Sequence, residues 1–537
     1  MEKSRTAPPA GSPEVAQHEK HDPPHDPSMM SSSARALALP FACASALILF
    51  GLLLPQRPAL FWTFVGAGGA LLAWIAVLFL MARRTGRSLI LNVMVRRPHW
   101  IQACAQGSVL LYWGWHVRFV YAFLPLIAAQ LIFAYAVDSL LNWSRRNTYA
   151  IGFGPFPIIF SINLFLWFRP EWFYWQFAMI LVGFAAKEFI RWNLEGRSAH
   201  IFNPSSFPLA VASVALIVTA TSDITLGTAI ATTQFYPPHM YLFIFLISLP
   251  GQLLFGVARM TMSAVISLYL ISLIHLQITG TYLFYDSHIP LPVFLGMHLL
   301  FTDPSTSPRS GSGRVLFGAL YAMGTAVCYV LLSAANIPTF YDKLLPVPLM
   351  NLMVRGIDRL AAARPPLTQL GSSLTPARRH VVWTSVWAGA FLVLTAARGV
   401  GDRHRGQALP FWQEACQAGS DRACKYTESM VLIYCNNGSG WACNEWGVIQ
   451  RDADRSAGNA FTRACEMGFQ PACDNAGRSS AGGEPPVRAS PQLPDLPIVL
   501  RGTKPPLTER DPARLYAIAC SQGWPNTCRP AGVANPF

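Results

Sequence analysis

The chain has 537 residues, of which 52% are hydrophobic and only 13% are charged, and its mean hydropathy is +0.33. This composition excludes an ordinary soluble globular protein, because the apolar residues come in long blocks. A net charge of +14 would suggest nucleic acid as the partner of a soluble protein, but most arginines here lie in short loops between apolar blocks. The sequence therefore predicts an all-α, polytopic membrane protein that contacts lipid and does not bind nucleic acid.

The amino-terminal tail and the apolar blocks give a first division of the chain. Residues 1–35 are rich in Pro, Ser and His and lack apolar periodicity, which predicts a disordered cytosolic tail. The first apolar block lacks a convincing cleavage site, so we expect a retained helix. We predict four further units: a transmembrane hairpin with an Arg-rich loop at 36–100, a transmembrane core at 101–360, a cytosolic linker with the last transmembrane helix at 361–400, and a separate domain at 401–537.

Apolar blocks of roughly 20 residues are candidates for membrane-spanning helices. Thirteen blocks qualify: 36–54, 59–82, 104–116, 118–140, 150–168, 172–190, 206–222, 240–256, 260–279, 288–303, 313–334, 338–354 and 381–398. Arginines concentrate in cytosolic loops, and five of the loops between these blocks are rich in arginine. All five can be cytosolic only if the two least convincing blocks, 104–116 and 338–354, also cross the membrane. This predicts thirteen crossings, with a cytosolic amino terminus, an external carboxyl terminus, and outward-facing loops at 223–239 and 280–287.

Eight of the eleven cysteines lie beyond residue 400 and share the spacing C-x-x-G-x-x-x-x-C. The pairs are Cys416 with Cys424, Cys435 with Cys443, Cys465 with Cys473, and Cys520 with Cys528. A helix that ends at a left-handed Gly and turns into an antiparallel helix brings such cysteines within reach of a disulfide. Zinc is the alternative, although paired zinc ligands usually lie closer in sequence. Disulfides require an oxidising compartment, in agreement with an external carboxyl terminus.

The cysteine pattern resembles SEL-type repeats, relatives of the tetratricopeptide repeat, in their secreted cysteine-rich form. The resemblance covers residues 408–476 and 510–530, with a Pro-rich interruption at 477–509. It implies a small, disulfide-clipped α-helical repeat domain at the carboxyl terminus. Stacked helices of this kind form a concave surface, so we expect the domain to bind a protein partner in the periplasm.

Two polar, proline-marked stretches interrupt the apolar blocks: KEFIRWNLEGRSAHIFNPSSFP at 187–208 and MHLLFTDPSTSP at 297–308. Backbone that leaves helix pairing at membrane depth is tolerated where it lines a cavity, so we predict that the stretches form a buried pocket. Asn203 and Thr302 offer neutral donors and acceptors, and Asp303 offers a charge. The alternative is that Asn-Pro and Asp-Pro serve only as helix caps.

Both stretches resemble the NqrB/RnfD family, the membrane flavoproteins shared by the sodium-pumping NADH:quinone oxidoreductase and the Rnf electron-transport complex. The matching residues are Lys187, Gly196, His200, Ile201, Phe202, Asn203, Pro204, Thr302, Asp303, Pro304, Thr306 and Pro308. Further matching segments are FLPLIAAQ at 123–130 and PVPLMNLMVRGIDRL at 346–360. The resemblance implies a helical membrane protein built from two related halves that binds flavin.

In that family, flavin mononucleotide is attached through its phosphate to a Thr in a D-x-x-S-G-A-T element. The nearest stretch here runs from Asp223 to Ala229, so alanine occupies the acceptor position and Thr228 lies one residue early. Thr232 and Thr233 also carry hydroxyls nearby. Thr228 is therefore a candidate for flavin attachment, and a noncovalently bound flavin or a quinone is the other possibility.

The resemblance implies a component of a bacterial inner-membrane electron-transfer system that works with flavin or quinone and with another redox protein. The candidate cofactor-binding residues are Asn203, Thr228, Thr302 and Asp303; no catalytic residue or metal ligand is predicted, and enzymatic activity is left open. His298 could relay protons or bind haem, but a hydrogen-bonded core histidine is preferred. The alternative function, favoured by Ala229, is a membrane scaffold or transporter that has lost its cofactor. Walker, Rossmann and HExxH motifs are absent from the sequence.

Overall fold

The computed structural model describes residues 33–194, 197–363, 375–397, 399–401, 404–452, 458–481, 486–502, 507–524 and 526–528. The predicted tail lies outside these residues except for 33–35, which begin the first helix. Gly196, one of the residues that carry the family resemblance, also lies outside them. The described chain is mainly helical and has very little strand, as its sequence predicts.

Fourteen α-helices precede the cysteine-rich region in the described chain. They are α1 (Ser33–Leu52), α2 (Pro58–Thr85), α3 (Arg97–His116), α4 (Arg118–Arg145), α5 (Pro155–Asn163), α6 (Tyr174–Phe189), α7 (Ser206–Val218), α8 (Gly227–Thr233), α9 (Met240–Phe255), α10 (Ala258–Thr279), α11 (Leu291–Leu299), α12 (Gly311–Ala334), α13 (Pro346–Ala362) and α14 (Pro376–Ala397). Strands β1 (Ile90–Val93) and β2 (Thr148–Ile151) pair in parallel, and β3 (Arg191–Leu194) and β4 (Arg197–His200) pair antiparallel.

Six helices among the described residues are long and apolar enough to cross a membrane, namely α1, α2, α4, α10, α12 and α14. The protein is therefore a multi-pass membrane protein. The thirteen full-length spans expected from the sequence are not found in the part of the chain that the structure describes. The predicted spans 150–168 and 288–303 contain only the nine-residue helices α5 and α11, which are far shorter than the roughly 20 residues that a bilayer requires. The predicted span 338–354 is divided between a 3-10 turn at Thr339–Tyr341 and the first half of α13.

Helices α3 to α7 and α9 to α13 repeat one order of elements. In each set the third helix has nine residues and opens on a Pro-x-Pro sequence, Pro155 to Pro157 in one set and Pro290 to Pro292 in the other. The internal packing also matches, because α4 packs on α6 as α10 packs on α12, and α3 packs on α5 as α9 packs on α11.

The two sets run in opposite directions. Tyr112, near the end of α3, donates a hydrogen bond of 2.7 Å to the carbonyl of Pro238, just before α9 begins. Helices α3 and α9 are thus antiparallel neighbours, and α7 meets α13 in the same way between the two sets. An inverted repeat with two broken helices is an arrangement that membrane transporters use to build a site near the middle of the bilayer.

The carboxyl-terminal region forms a separate helical unit with its own apolar core around Trp441 and Trp524. Its helices are α15 (Leu409–Gln417), α16 (Asp421–Asn436), α17 (Gly440–Asp452), α18 (Gly458–Glu466), α19 (Gln470–Ala481), α20 (Leu496–Val499) and α21 (Pro512–Ser521). All four predicted disulfides are present, with Cα atoms 4.5 to 4.7 Å apart. The predicted left-handed glycines are confirmed as well, since Gly419, Gly438, Gly468 and Gly523 have φ between +83° and +97°.

The first helices of this repeat domain pack on loop 280–288 of the membrane region. The Tyr285 and Tyr426 rings stack at 4.2 Å between centroids, and Arg422 donates a hydrogen bond to the carbonyl of Leu283. Gln407 donates a hydrogen bond of 2.9 Å to the carbonyl of Asp286. The loop predicted to face outward and the disulfide-bonded domain therefore lie on the same side of the bundle.

Two glycines of the repeat domain give a matched test of its backbone. Gly438 has φ +97° and no atom close to where a Cβ would lie, so Gly438→Ala should destabilise the domain by about 1–2 kcal/mol through backbone strain alone. Gly477 lies within α19 and has equally open surroundings, so Gly477→Ala should stabilise the domain by up to about 1 kcal/mol. Proteolysis of the repeat domain in increasing urea measures both changes, and a shift of the same sign in both variants would contradict this account.

Candidate functional site

The two short helices α5 and α11 end inside the bundle. All nine residues of α11 and seven of the nine residues of α5 are buried. The last carbonyl groups of a helix have no partner within the helix, and without water each would cost about 1–3 kcal/mol if left unpaired. The backbone amides that directly follow each helix pair some of these carbonyls, and side chains from other parts of the chain supply further donors at the two ends.

Buried carboxamide side chains supply the donors where α5 ends. Gln234 donates to the carbonyl of Leu164 at 2.6 Å, and Gln176 donates to that of Leu166 at 3.4 Å. Asn163, the last residue of α5, exchanges hydrogen bonds of 2.7 and 3.1 Å with Gln130 of α4. These amides are fully buried, so α4, α5 and α6 are joined by a polar network inside the apolar core.

Two further carboxamides serve the end of α11. Gln106 of α3 donates to the Ser161 hydroxyl of α5 at 2.7 Å and to the carbonyl of Leu299 at 3.4 Å, so one side chain joins both short helices. Asn203 donates to the carbonyl of Leu300 at 2.9 Å. The same type of side chain thus satisfies the backbone in both halves of the repeat.

The two proline-marked stretches are in contact through Asn203. Its side-chain amide joins the first stretch to the second at Leu300, while its side-chain oxygen accepts from the backbone amides of Ser205 and Ser206 at 2.9 and 3.1 Å. Asn351 of α13 binds both stretches, because it accepts from the Asn203 backbone amide at 3.1 Å and donates to the Thr306 carbonyl at 3.0 Å. Asn203 therefore caps the start of α7 and also links two distant parts of the chain.

Asp303 and Thr302 lie at the same centre. Asp303 accepts hydrogen bonds from the Ser305 amide and hydroxyl at 2.9 and 2.6 Å, and its second oxygen lies 3.6 Å from the His200 ring nitrogen. Burial raises the pKa of the Asp303 carboxyl, but His200 and the hydrogen bonds from Ser305 together outweigh burial, so the pKa lies below its ordinary value. Thr302 is buried and donates to the carbonyl of His298 at 2.9 Å.

Thr228 does not belong to this centre. It is exposed on α8, which follows the far end of α7, whereas Asn203 precedes the start of α7. The 13 residues of α7 span about 20 Å, so Thr228 is separated from the other three predicted residues. The nearby Thr232 and Thr233 hydroxyls donate to carbonyls of their own helix.

A narrow cavity, which we call the acceptor cavity, lies between the start of α3, the end of α9 and the end of α11. Its volume is only about 10 Å³, which is room for at most one water molecule. Thr302, predicted from the sequence, is one of its lining residues. The others are Ile101, Gln102, Ala105, Ser248, Gly251, Gln252, Phe255, Val257, His298 and Leu299.

Hydrogen-bond acceptors dominate the unpaired polar atoms at this cavity. The His298 Nδ1 atom lies 2.7 Å from the carbonyl of Phe294, which can only accept, so Nδ1 carries the hydrogen and Nε2 of the neutral ring is an acceptor. In the described part of the chain, neither this Nε2 nor the side-chain oxygens of Gln252 and the adjacent Gln106 has a hydrogen-bond partner. Three buried acceptors that lack donors predict a bound molecule that donates hydrogen bonds.

Ionisable residues at the ends of α4 and α6 pair with one another. Lys187 lies 3.3 Å from Asp138, and Glu188 lies 2.5 Å from Arg146 and 3.4 Å from Arg145. Charges near membrane depth are often functional, but here the pairing gives them a structural role. The pairs tie the end of α6 to the end of α4, and none of these residues lines the acceptor cavity.

No protein-family model, curated protein or solved structure matches the chain. The resemblance to the flavoproteins and to SEL-type repeats therefore stays a prediction that rests on the motifs quoted above. The function has to be argued from the geometry of the site.

Asn203→Asp tests the contact between the two stretches. The substitution keeps the oxygen that caps α7, but it replaces the donor to Leu300 with a second oxygen that faces a carbonyl. We expect a loss of about 1–3 kcal/mol, measured as a lower temperature of unfolding in detergent. Asn193→Asp, on the short strand β3, is the control and should have little effect. Equal stability of the two variants would contradict the assigned contact.

Proposed function

We propose that this protein is a membrane-embedded electron-transfer component that binds the head group of a quinol in the acceptor cavity. The observation that carries this proposal is a pair of acceptors without donors, His298 Nε2 and Gln252 Oε1, in the otherwise largely apolar wall of the cavity, with a third such acceptor, Gln106 Oε1, on the residue next to the lining residue Ala105. A quinol presents two hydroxyl donors on an apolar ring, which is the complement of such a lining.

The shape and position of the cavity favour a flat ring over a bulkier cofactor. Because the cavity has room for at most one water molecule, it must widen before a ring can enter, and a planar ring requires the smallest displacement of its walls. The half-buried residues Ile101 and Phe255 lie where α3 and α9 approach the surface of the bundle. Rotation of these two side chains would admit the ring, and an isoprenoid tail would leave the site between them.

The lining residues define what the chain does during quinol oxidation. His298 Nε2 accepts one hydroxyl proton and becomes imidazolium, with its Nδ1–H still held by Phe294. Gln252 holds the ring in position by accepting from the other hydroxyl. The other hydroxyl proton and the two electrons would be taken up by an oxidant of the flavin class, which another redox protein would supply; a flavin on Thr228 would lie about the length of α7 away, too far to receive them directly.

The repeat domain would bring that redox partner to the membrane. Its first helices pack on loop 280–288, so a protein bound to the stacked helices is held next to the membrane region. The disulfides suit an oxidising compartment, and we therefore propose a bacterial inner-membrane location with the amino terminus in the cytosol and this domain in the periplasm.

A transporter or scaffold without cofactor is the second candidate. The inverted repeat with two short buried helices favours it, because transporters place substrate sites at such breaks. Ala229 at the expected flavin acceptor position favours it as well. A purified protein without flavin absorbance, without in-gel flavin fluorescence and without quinol oxidation would favour this candidate.

His298→Gln tests the proposed proton acceptor. With ferricyanide as the electron acceptor, quinol oxidation by the purified protein should fall by about 10²-fold or more, because the general base is lost. His275→Gln is the matched control, since His275 lies on α10, its ring nitrogen lies 3.0 Å from the Thr281 carbonyl, and it does not line the cavity. Equal rates in the two variants, or a wild-type protein that oxidises no quinol, would contradict the proposal.

A further inference from the structure

A second cleft, with about 230 Å³ of space open to water, lies where α10, α12 and α14 begin. Four arginines line it, one from each of these helices and one from the loop before α12: Arg259, Arg314, Arg379 and Arg309. His380 and Trp383 of α14 complete the wall. This arginine cleft shares no lining residue with the acceptor cavity, although residues 255–258 contribute alternately to the two, and it plays no part in the function proposed above.

Two of the arginines are held in place by defined contacts. The Arg259 guanidinium lies over the Trp383 ring at 4.5 Å from its centroid. Arg314 donates to the carbonyls of Gly256 at 2.5 Å and Pro308 at 3.0 Å, so it joins the turn after α9 to the loop before α12. A Cβ atom at Gly311 would collide with the Arg259 guanidinium, so glycine is needed for this group to lie against the start of α12.

The cleft carries an excess of positive charge. The acidic side chain next to it, Asp358 of α13, accepts from the backbone amides of Arg309 and Ser310 at 3.2 Å each and from the Ser310 hydroxyl at 2.8 Å. Arg259, Arg314 and Arg379 against this carboxylate leave an excess positive charge of roughly two, and these like charges repel one another in a partly desolvated cleft. An anion with more than one negative oxygen would remove this repulsion.

The backbone adds to the attraction for an anion. The amino-terminal ends of α10 and α12 border the cleft at Ala258 and Gly311, and helix starts carry partial positive charge from unpaired amides. Guanidinium groups match the geometry of phosphate oxygens through paired hydrogen bonds. All three helices are candidate membrane spans, so the cleft lies at a membrane–water boundary.

We propose that this cleft binds a phosphate-bearing anion, in which Arg259 and Arg379 hold the phosphate oxygens and Trp383 supports Arg259. Its position at the ends of three spans makes the head group of an anionic phospholipid the favoured source. A free phosphate compound from the aqueous side carries the same group. The cleft would fix one lipid against the joint between α10, α12 and α14.

The test uses the full-length protein, stripped of lipid in detergent and titrated separately with phosphatidylglycerol, phosphatidylcholine and inorganic phosphate. Binding is measured by native mass spectrometry and by the shift in unfolding temperature. The variant Arg259→Gln/Arg379→Gln should bind at least ten-fold more weakly. Arg378→Gln is the matched control, because Arg378 is the exposed neighbour of Arg379 and does not line the cleft. Arg379→Gln alone serves if the double variant does not fold.

Each outcome decides the proposal. Preferential binding of phosphatidylglycerol that the cleft variants weaken and Arg378→Gln preserves supports a lipid head group. The same pattern with inorganic phosphate, and no preference between the two lipids, supports a soluble phosphate compound. The proposal is overturned if neither phosphatidylglycerol nor phosphate binds, or if the cleft variants bind them as tightly as the wild type.

Discussion

Backbone pairing at the ends of α5 and α11 is the constraint on which the membrane region depends. Both helices stop inside an apolar bundle, where water cannot bind their last carbonyl groups. Gln106, Gln176, Gln234 and Asn203 donate to carbonyls at these ends, and each amide is buried. Because the donors come from different parts of the chain, satisfying the two broken ends also fixes how the helices pack.

The same arrangement gives the site its chemistry. A carboxamide that uses its NH₂ group to pair a backbone carbonyl keeps its oxygen for another partner, as Gln106 does beside Leu299. His298 uses Nδ1–H on its own helix and presents Nε2 as an acceptor. Because each of these two side chains uses its donor group in a structural hydrogen bond, its acceptor atom is left for a ligand. The neutral acceptor cavity differs in character from the arginine cleft at the starts of α10, α12 and α14, which suits an anion.

Local patterns in the sequence predicted local structure well. The four disulfides and their left-handed glycines follow from one nine-residue spacing, and the contacts involved lie within that spacing. Proline-marked breaks pointed to Asn203, Thr302 and Asp303, which do lie together. Hydropathy overcounted full-length spans, because an apolar block does not reveal that Pro155 or Leu291 begins a helix of only nine residues.

Contacts between distant parts of the chain could not be predicted in this way. Gln106 and Gln252 were missed because an isolated carboxamide in an apolar block carries no local signal of its role. Gln106 acquires that role from Leu299, which lies 193 residues away in the sequence. Thr228 was grouped with Asn203 on motif resemblance alone, and the length of α7 separates the two.

The most direct test of the central claim is photoaffinity labelling of the full-length protein with a photoreactive quinone, followed by mass spectrometry of the labelled peptides. The account predicts label on residues 101–106, 248–257 and 298–302, where α3, α9 and the end of α11 enclose the cavity, and loss of that label when excess quinol competes. Label confined to other parts of the chain, or label that quinol does not displace, would contradict it.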